Sequence, residues 1–145
     1  VLIKEGAEVN PILEYGMSIL QIGIHNSNPE VLEALIKAGA EVNTRDSTGQ
    51  TPLMRAAWKN SNPEVLKVLI EAGAEVNARD MEGLSPLFYA AGGNSNPEVL
   101  EVLIKAGAEV NARDKDGNKV IDHAKENDAL KNTDVYWKLH DASFE

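Results

Sequence analysis

The chain has no cysteine, which removes disulfides, thiolate nucleophiles and Cys-ligated metals from consideration. No apolar run approaches the ~18 residues of a membrane-spanning helix, so no membrane association is expected. There is no Asn-x-Ser/Thr sequon and no recognisable signal peptide, and an intracellular, cytoplasmic setting is expected. No segment is basic. The formal net charge is −9 over 145 residues, whereas following a phosphate backbone requires clustered Lys and Arg. Nucleic acid is therefore not expected as a partner.

Sites for small ligands are equally scarce. No glycine-rich phosphate loop of the right spacing occurs, and no cofactor is expected. The three histidines, His25, His123 and His140, are too scattered to argue a metal site. Asp114-x-Asp116-Gly117 resembles part of a calcium loop. With Gly117 in the sixth position, however, the first falls on Ala112 and the twelfth on His123, so two principal ligands are missing. Asp122-His123 lacks a nucleophile, and adjacent helical residues face different sides.

What the chain does have is repetition. Asn60-Ser61-Asn62-Pro63-Glu64-Val65-Leu66 opens a stretch whose wording also begins at Asn26 and Asn94, each copy 34 residues after the last. A fixed period of this length predicts stacked identical units rather than one closed core. For such an array, length counts repeats and not domains.

One unit reads plainly. Asn28 is placed to cap a helix that Pro29 begins. Val31, Leu32, Leu35 and Ile36 recur at helical spacing. Gly39 ends the helix where a left-handed backbone is needed. Glu41 to Asp46 alternates like a strand and leads into the turn Asp46-Ser47-Thr48-Gly49. Thr51-Pro52 then starts a short apolar helix from Leu53 to Trp58. Exposed Glu33/Lys37 and Lys67/Glu71 pairs are expected along the long helices.

The ends differ from the centre. Residues 1–10 match the second half of a unit, predicting an orphan helix and a chain cut from something longer. Residues 11–25 form the most eroded unit, with Ser18 in the place of Thr51 and Ile19 in that of Pro52. The last unit reads Lys119-Val120 where Thr-Pro is expected. Its closing helix, about Thr133 to Ala142, should turn Val135, Tyr136 and Leu139 inward and act as a C-terminal cap.

Asp46, Gly49, Thr51-Pro52-Leu53, Ala56-Ala57, Glu64-Val65, Leu69-Ile70, Gly73-Ala74, Val76 and Asn77 stand at the signature positions of a pattern that resembles the ankyrin repeat. The resemblance covers essentially the whole chain. It implies an all-α solenoid of stacked helix-turn-helix units with β-hairpin-like loops, about four helix pairs plus the orphan N-terminal helix. The expected division is a single domain over 1–145. It comprises a partial repeat 1–10, repeats 11–43, 44–77 and 78–111, and a capping repeat 112–145. Two departures stand out: the family's usual period is 33, and Met54 and Phe88 replace the histidine that usually follows Pro-Leu.

Comparing the two central copies locates the individuality. Between Asn26–Lys59 and Asn60–Gly93, 22 of 34 positions are identical, and nine of the 12 differences lie in the hairpin and short helix. Residues that touch neighbouring units are fixed by stacking, whereas exposed ones are free to differ. The resemblance implies that hairpin tips and short helices line a concave binding face. The candidates there are Tyr15, Met17, Ile22, His25, Arg55, Trp58, Lys59, Met81, Leu84 and Tyr89. Aromatic, Met and Arg enrichment is the composition of interface centres. The bland alternative packs Ile22 and Tyr89 between short helices. Gly92-Gly93, opposite Trp58-Lys59, reads either as a notch beside the tryptophan or as a frayed helix end.

The expected function is a non-catalytic, monomeric module that binds a protein partner through Trp58, Tyr89, Leu84, Arg55, Met81, Lys59, Met17 and Tyr15. One alternative is a recruiting fragment of a larger enzyme or effector. Another is an engineered or self-associating scaffold.

Overall fold

Each unit folds because capping residues fall immediately ahead of its apolar stretches. In the computed structural model, which describes residues 18–144, eight helices follow in chain order. They are α1 (Ile19–Gly23), α2 (Pro29–Lys37), α3 (Pro52–Lys59), α4 (Pro63–Glu71), α5 (Pro86–Gly93), α6 (Pro97–Lys105), α7 (Val120–Ala124) and α8 (Asp134–Ala142). They make four short-then-long pairs, an all-α repeat architecture. The orphan helix expected over 1–10 lies outside the described residues.

Caps set the boundaries. Asn28, Asn62 and Asn96 accept from Glu30, Glu64 and Glu98 N–H at 3.0–3.1 Å, and each is followed by proline. Thr51 Oγ1 accepts from Met54 N–H at 3.3 Å. Met54 fills the core and also returns a weak bond, its sulfur accepting from Thr51 N–H at 3.4 Å. Without a Thr-Pro start, α7 is capped from inside, Asp122 accepting from Lys119 N–H at 2.9 Å.

The helices stack in two rows, with the short α1, α3, α5 and α7 in one and the long α2, α4, α6 and α8 in the other. Between the rows lies one apolar core. Leu32, Leu53, Leu66, Leu69, Leu87, Phe88, Leu100 and Leu103 are buried in it, and Leu130, Val135 and Leu139 close its C-terminal end. Burying each such side chain contributes about 1.5–3 kcal/mol. Tyr136 is only half-buried against this core.

The alternation from Glu41 to Asp46 does not become a strand. Among the described residues there is no sheet, and the one bridge joins Arg113 to Lys119. The hairpin closes instead through turn bonds such as Asp46 N–H to Gln50 O at 3.0 Å. Between units, side-chain bonds add to two backbone ones, Met81 N–H to Thr48 O at 3.2 Å and Lys115 N–H to Glu82 O at 3.0 Å. Asn43 donates to Gly73 O at 3.0 Å and accepts from Glu75 N–H at 2.9 Å, and Asn77 repeats this with Gly107 and Glu109. Arg45 donates to Arg79 O at 2.6 Å, and Arg79 to Arg113 O at 2.8 Å.

A further rail occupies the turn that lengthens the period. Asn60 is buried and donates to Ile24 O at 2.7 Å and Asn26 O at 3.2 Å. Asn94 does the same to Ala57 O at 2.7 Å and Asn60 O at 2.9 Å, and Asn127 to Ala91 O and Asn94 O at 3.0 and 2.9 Å. The additional residue is thus accommodated in a turn whose first asparagine ties each short helix to the unit before it. On the outer surface Lys67 pairs with Glu64 at 2.9 Å and not with Glu71, an exposed contact that adds little.

Candidate functional site

The exposed side of the short-helix row is assembled from turn aspartates and the helices that follow them. In each of three turns the aspartate Oδ1 accepts two backbone N–H groups. Asp46 takes Thr48 and Gln50, Asp80 takes Glu82 and Leu84, and Asp114 takes Asp116 and Asn118, all at 2.9–3.0 Å. The remaining oxygen then receives the side chain nine residues on. Arg55 Nη2 lies 3.3 Å from Asp46, Tyr89 O–H 2.5 Å from Asp80 and His123 Nε2 2.9 Å from Asp114. Neighbouring units join through Gln21, which donates to Gln50 O at 2.8 Å, and through Gln50, which donates to Tyr89 Oη at 3.0 Å.

These bonds set protonation states. Burial alone would raise the Asp46 pKa, but hydrogen bonds from Thr48, Gln50 and Arg55 outweigh it, and the group sits below its ordinary value of 3.8. At Asp114 the same contest between burial and bonds from His123, Asn118 and Asp116 also ends in a lowered pKa. Burial first, then the Asp80 carboxylate, pushes the Tyr89 phenol far up, so it remains a donor. A carboxyl with a depressed folded-state pKa contributes stability that is present above its unfolded pKa and lost as pH falls through the folded one. The urea midpoint should therefore fall between pH 5 and pH 2. Asp46→Asn combined with Asp114→Asn should flatten that fall, and an unchanged slope would contradict these assignments.

The structure separates the sequence candidates. Trp58 and Met81 are exposed, at 40% and 68%. Ile22 is exposed at 46%, against the packing alternative, whereas Tyr89 and Leu84 are half-buried against the core. Arg55 is half-buried, and its Nε has no hydrogen-bond partner among the described residues. Lys59 Nζ stands 3.8 Å from the centre of the Trp58 ring, and the Trp58 and Tyr89 rings are 6.0 Å apart. Trp58, Lys59 and Tyr89 thus form one connected group, Arg55 is linked to it only through Asp46 and Gln50, and Tyr15 and Met17 fall outside the described residues.

Gly92 and Gly93 are neither frayed nor equally open. α5 runs through both. A Cβ at Gly93 would fall 2.5 Å from Trp58 Cδ1 and 2.6 Å from Nε1, so the indole lies on that glycine. At Gly92 the nearest atoms would be His123 Cβ and Nδ1, at 3.9 and 4.0 Å. Gly92→Ala should stabilise the helix by about 0.5–1 kcal/mol. Gly93→Ala should forfeit that gain and displace the indole. Thermal melts, with Trp58 fluorescence read in a Trp137→Phe background, check both; equal stabilisation by the two variants would refute the contact.

His123 was missed as part of this row. The available signal was a donor nine residues after each turn aspartate: Arg, Tyr, then His. On the opposite, long-helix side, a groove of about 510 Å³ between α4 and α6 has Lys67, Ile70, Glu71, Glu98, Val102 and Lys105 among its lining residues. A similar groove between α2 and α4 marks it as a product of helix spacing. Among the described residues no cluster of three His, Cys, Asp or Glu could hold a metal ion, and no helix is long and apolar enough to cross a membrane.

A family model for ankyrin repeats (3 copies) matches residues 1–80 and again 53–139. Among curated proteins, an ankyrin repeat protein of Acanthamoeba polyphaga mimivirus is 34% identical over 56 residues. That stretch is 39% of this chain and 8% of the viral protein.

Proposed function

The chain belongs to the ankyrin repeat family, whose repeats generally mediate protein–protein interaction, and from that premise we propose that it binds a protein partner through the concave, short-helix face, without catalysis of its own. The carrying observation is Trp58. It is large, 40% exposed and held in place by Gly93, Tyr89 and Lys59. A tryptophan fixed before binding loses little entropy on contact, which is what makes an anchor effective. Met81 projects from the neighbouring hairpin, and Arg55, Lys59, Leu84 and Tyr89 complete the proposed set. Met17 and Tyr15 are proposed for the same face from the repeat pattern of the sequence alone.

Trp58 and Met81 are the residues to remove, since neither is buried and Tyr89 holds Asp80. A Trp58→Ala/Met81→Ala variant should keep the wild-type far-ultraviolet spectrum. It should bind a partner captured with the wild-type chain about tenfold or more weakly. Undiminished affinity in calorimetry would refute the face.

A further inference from the structure

We propose that the outward edge of α8, built from Trp137, His140, Asp141 and Phe144, pairs with the same edge of a second copy of this chain across a two-fold axis. The contact lies apart from the short-helix face and does not depend on it.

The stack defines what such an edge meets. α2 turns Glu33, Ile36 and Lys37 towards α4, and α4 turns Lys67, Ile70 and Glu71 towards α6, so each long helix offers the next the same three positions. α8 repeats the buried spacing of α6, Val135 and Leu139 standing 36 residues after Val99 and Leu103. Its trailing side is engaged. Lys138, in the register of the groove residue Val102, pairs with Glu101 of α6 at 2.9 Å. In that register the positions that face a following helix are Trp137, His140 and Asp141.

α8 is the last long helix among the described residues, and the outer face of a terminal unit is ordinarily polar. Here it is aromatic. Trp137 is 48% exposed and Phe144 is 78% exposed. Phe144 follows Ser143, whose αR backbone continues the helical course. The rings form one strip, Trp137 edge-on to His140 at 5.3 Å and His140 edge-on to Phe144 at 5.1 Å between centroids. Large exposed apolar groups joined in this way mark a contact surface.

Helix geometry selects the occupant. Residues 137, 140, 141 and 144 fall at i, i+3, i+4 and i+7, which is one face of a helix. That spacing reads the same in both directions. A second α8 laid antiparallel about the midpoint between 140 and 141 sets Trp137 against Phe144 of the second copy. It also sets His140 against Asp141 of the second copy, and each contact occurs twice. An isologous interface requires this self-complementarity. Aromatic meets aromatic and imidazole meets carboxylate, and among these four positions no carboxylate faces another. The Asp141 side chain is 81% exposed, with His140 of its own helix as its ion-pair contact at 3.3 Å. One helix edge buries less than the about 1,200 Å² of a stable complex, so the dimer is weak and exchanges rapidly.

Sedimentation equilibrium and ¹H–¹⁵N spectra between about 10 µM and about 1 mM chain test the pairing. The mean mass should rise towards twice the monomer, and the amides of 136–144 should shift with concentration. In a mixture of ¹³C-labelled and unlabelled chains, filtered NOEs should link the Trp137 ring of one copy to the Phe144 ring of the other. Trp137→Ala/Phe144→Ala removes only exposed side chains. Checked for an unchanged circular dichroism spectrum, it should weaken association at least tenfold, whereas Trp58→Ala/Met81→Ala should associate like the wild type. A wild-type chain that stays monomeric would overturn the proposal, as would a dimer that survives the α8 double variant or is lost with the short-helix one. Filtered NOEs from α8 to any other part of the second copy would do the same. Concentration-independent α8 amides that shift only when a captured protein is added would give the edge to that protein and sink the two-fold pairing.

Discussion

Gly83→Ala should destabilise the protein by about 2–4 kcal/mol, against about 1 kcal/mol for Gly117→Ala. Both glycines occupy the same turn position with positive φ, +77° and +87°, so both variants incur the left-handed backbone cost that a Cβ brings. The difference lies in what stands next to them. A Cβ at Gly83 would fall 2.9 Å from Lys115 N and 3.3 Å from Asp114 C, both backbone atoms, whereas at Gly117 nothing comes within 4 Å. A methyl group there must push two hairpins apart and strain the 3.0 Å bond from Lys115 N–H to Glu82 O. Urea denaturation of the two variants isolates the stacking contribution. Equal losses would show that the hairpins are not in contact.

Asn94→Ala is expected to cost about 2–4 kcal/mol, because it leaves buried carbonyls without donors. The residue is 2% exposed, and its amide serves Ala57 O and Asn60 O while its oxygen accepts from Asn96 N–H at 2.9 Å. Asn94→Asp should be worse at neutral pH, since a carboxylate has no donor for either carbonyl. Facing two oxygens raises the carboxyl pKa in the folded state, so the loss should shrink as pH falls and the group protonates. Denaturation curves at pH 7 and pH 4 check this. An Asp variant as stable as Ala at both pH values would place the amide elsewhere.

Much of the architecture was legible because it is written in local chemistry. Asn-Pro and Thr-Pro mark helix starts, Gly39 and its copies take positive φ, and the Val-Leu spacing names the buried face. Glu41 to Asp46 misled because alternation was read as a backbone ladder. Asn43 and Arg45 alternate there because their side chains reach the next unit. The variable positions misled differently. Arg55 and Tyr89 looked free to change, yet with His123 they meet one requirement, a donor for the turn aspartate nine residues earlier. Trp58 and Gly93 stood out singly, but their contact spans 35 positions, and no local pattern announces it.

The asparagine and arginine rails have a consequence for how such an array changes length. Their donors and acceptors are the same from copy to copy, so unequal recombination between the near-identical stretches would splice one rail onto the next with its bonds intact. The array is modular in that sense. Trp58 lying on Gly93 is an exception. Excising 60–93 would bring the indole against the unit that begins at Asn94, where Asn127 holds the turn in place of Asn94 and no glycine pair ends the short helix. The units can be counted up or down, but the central two are not interchangeable, and their order is recorded in one tryptophan and one glycine.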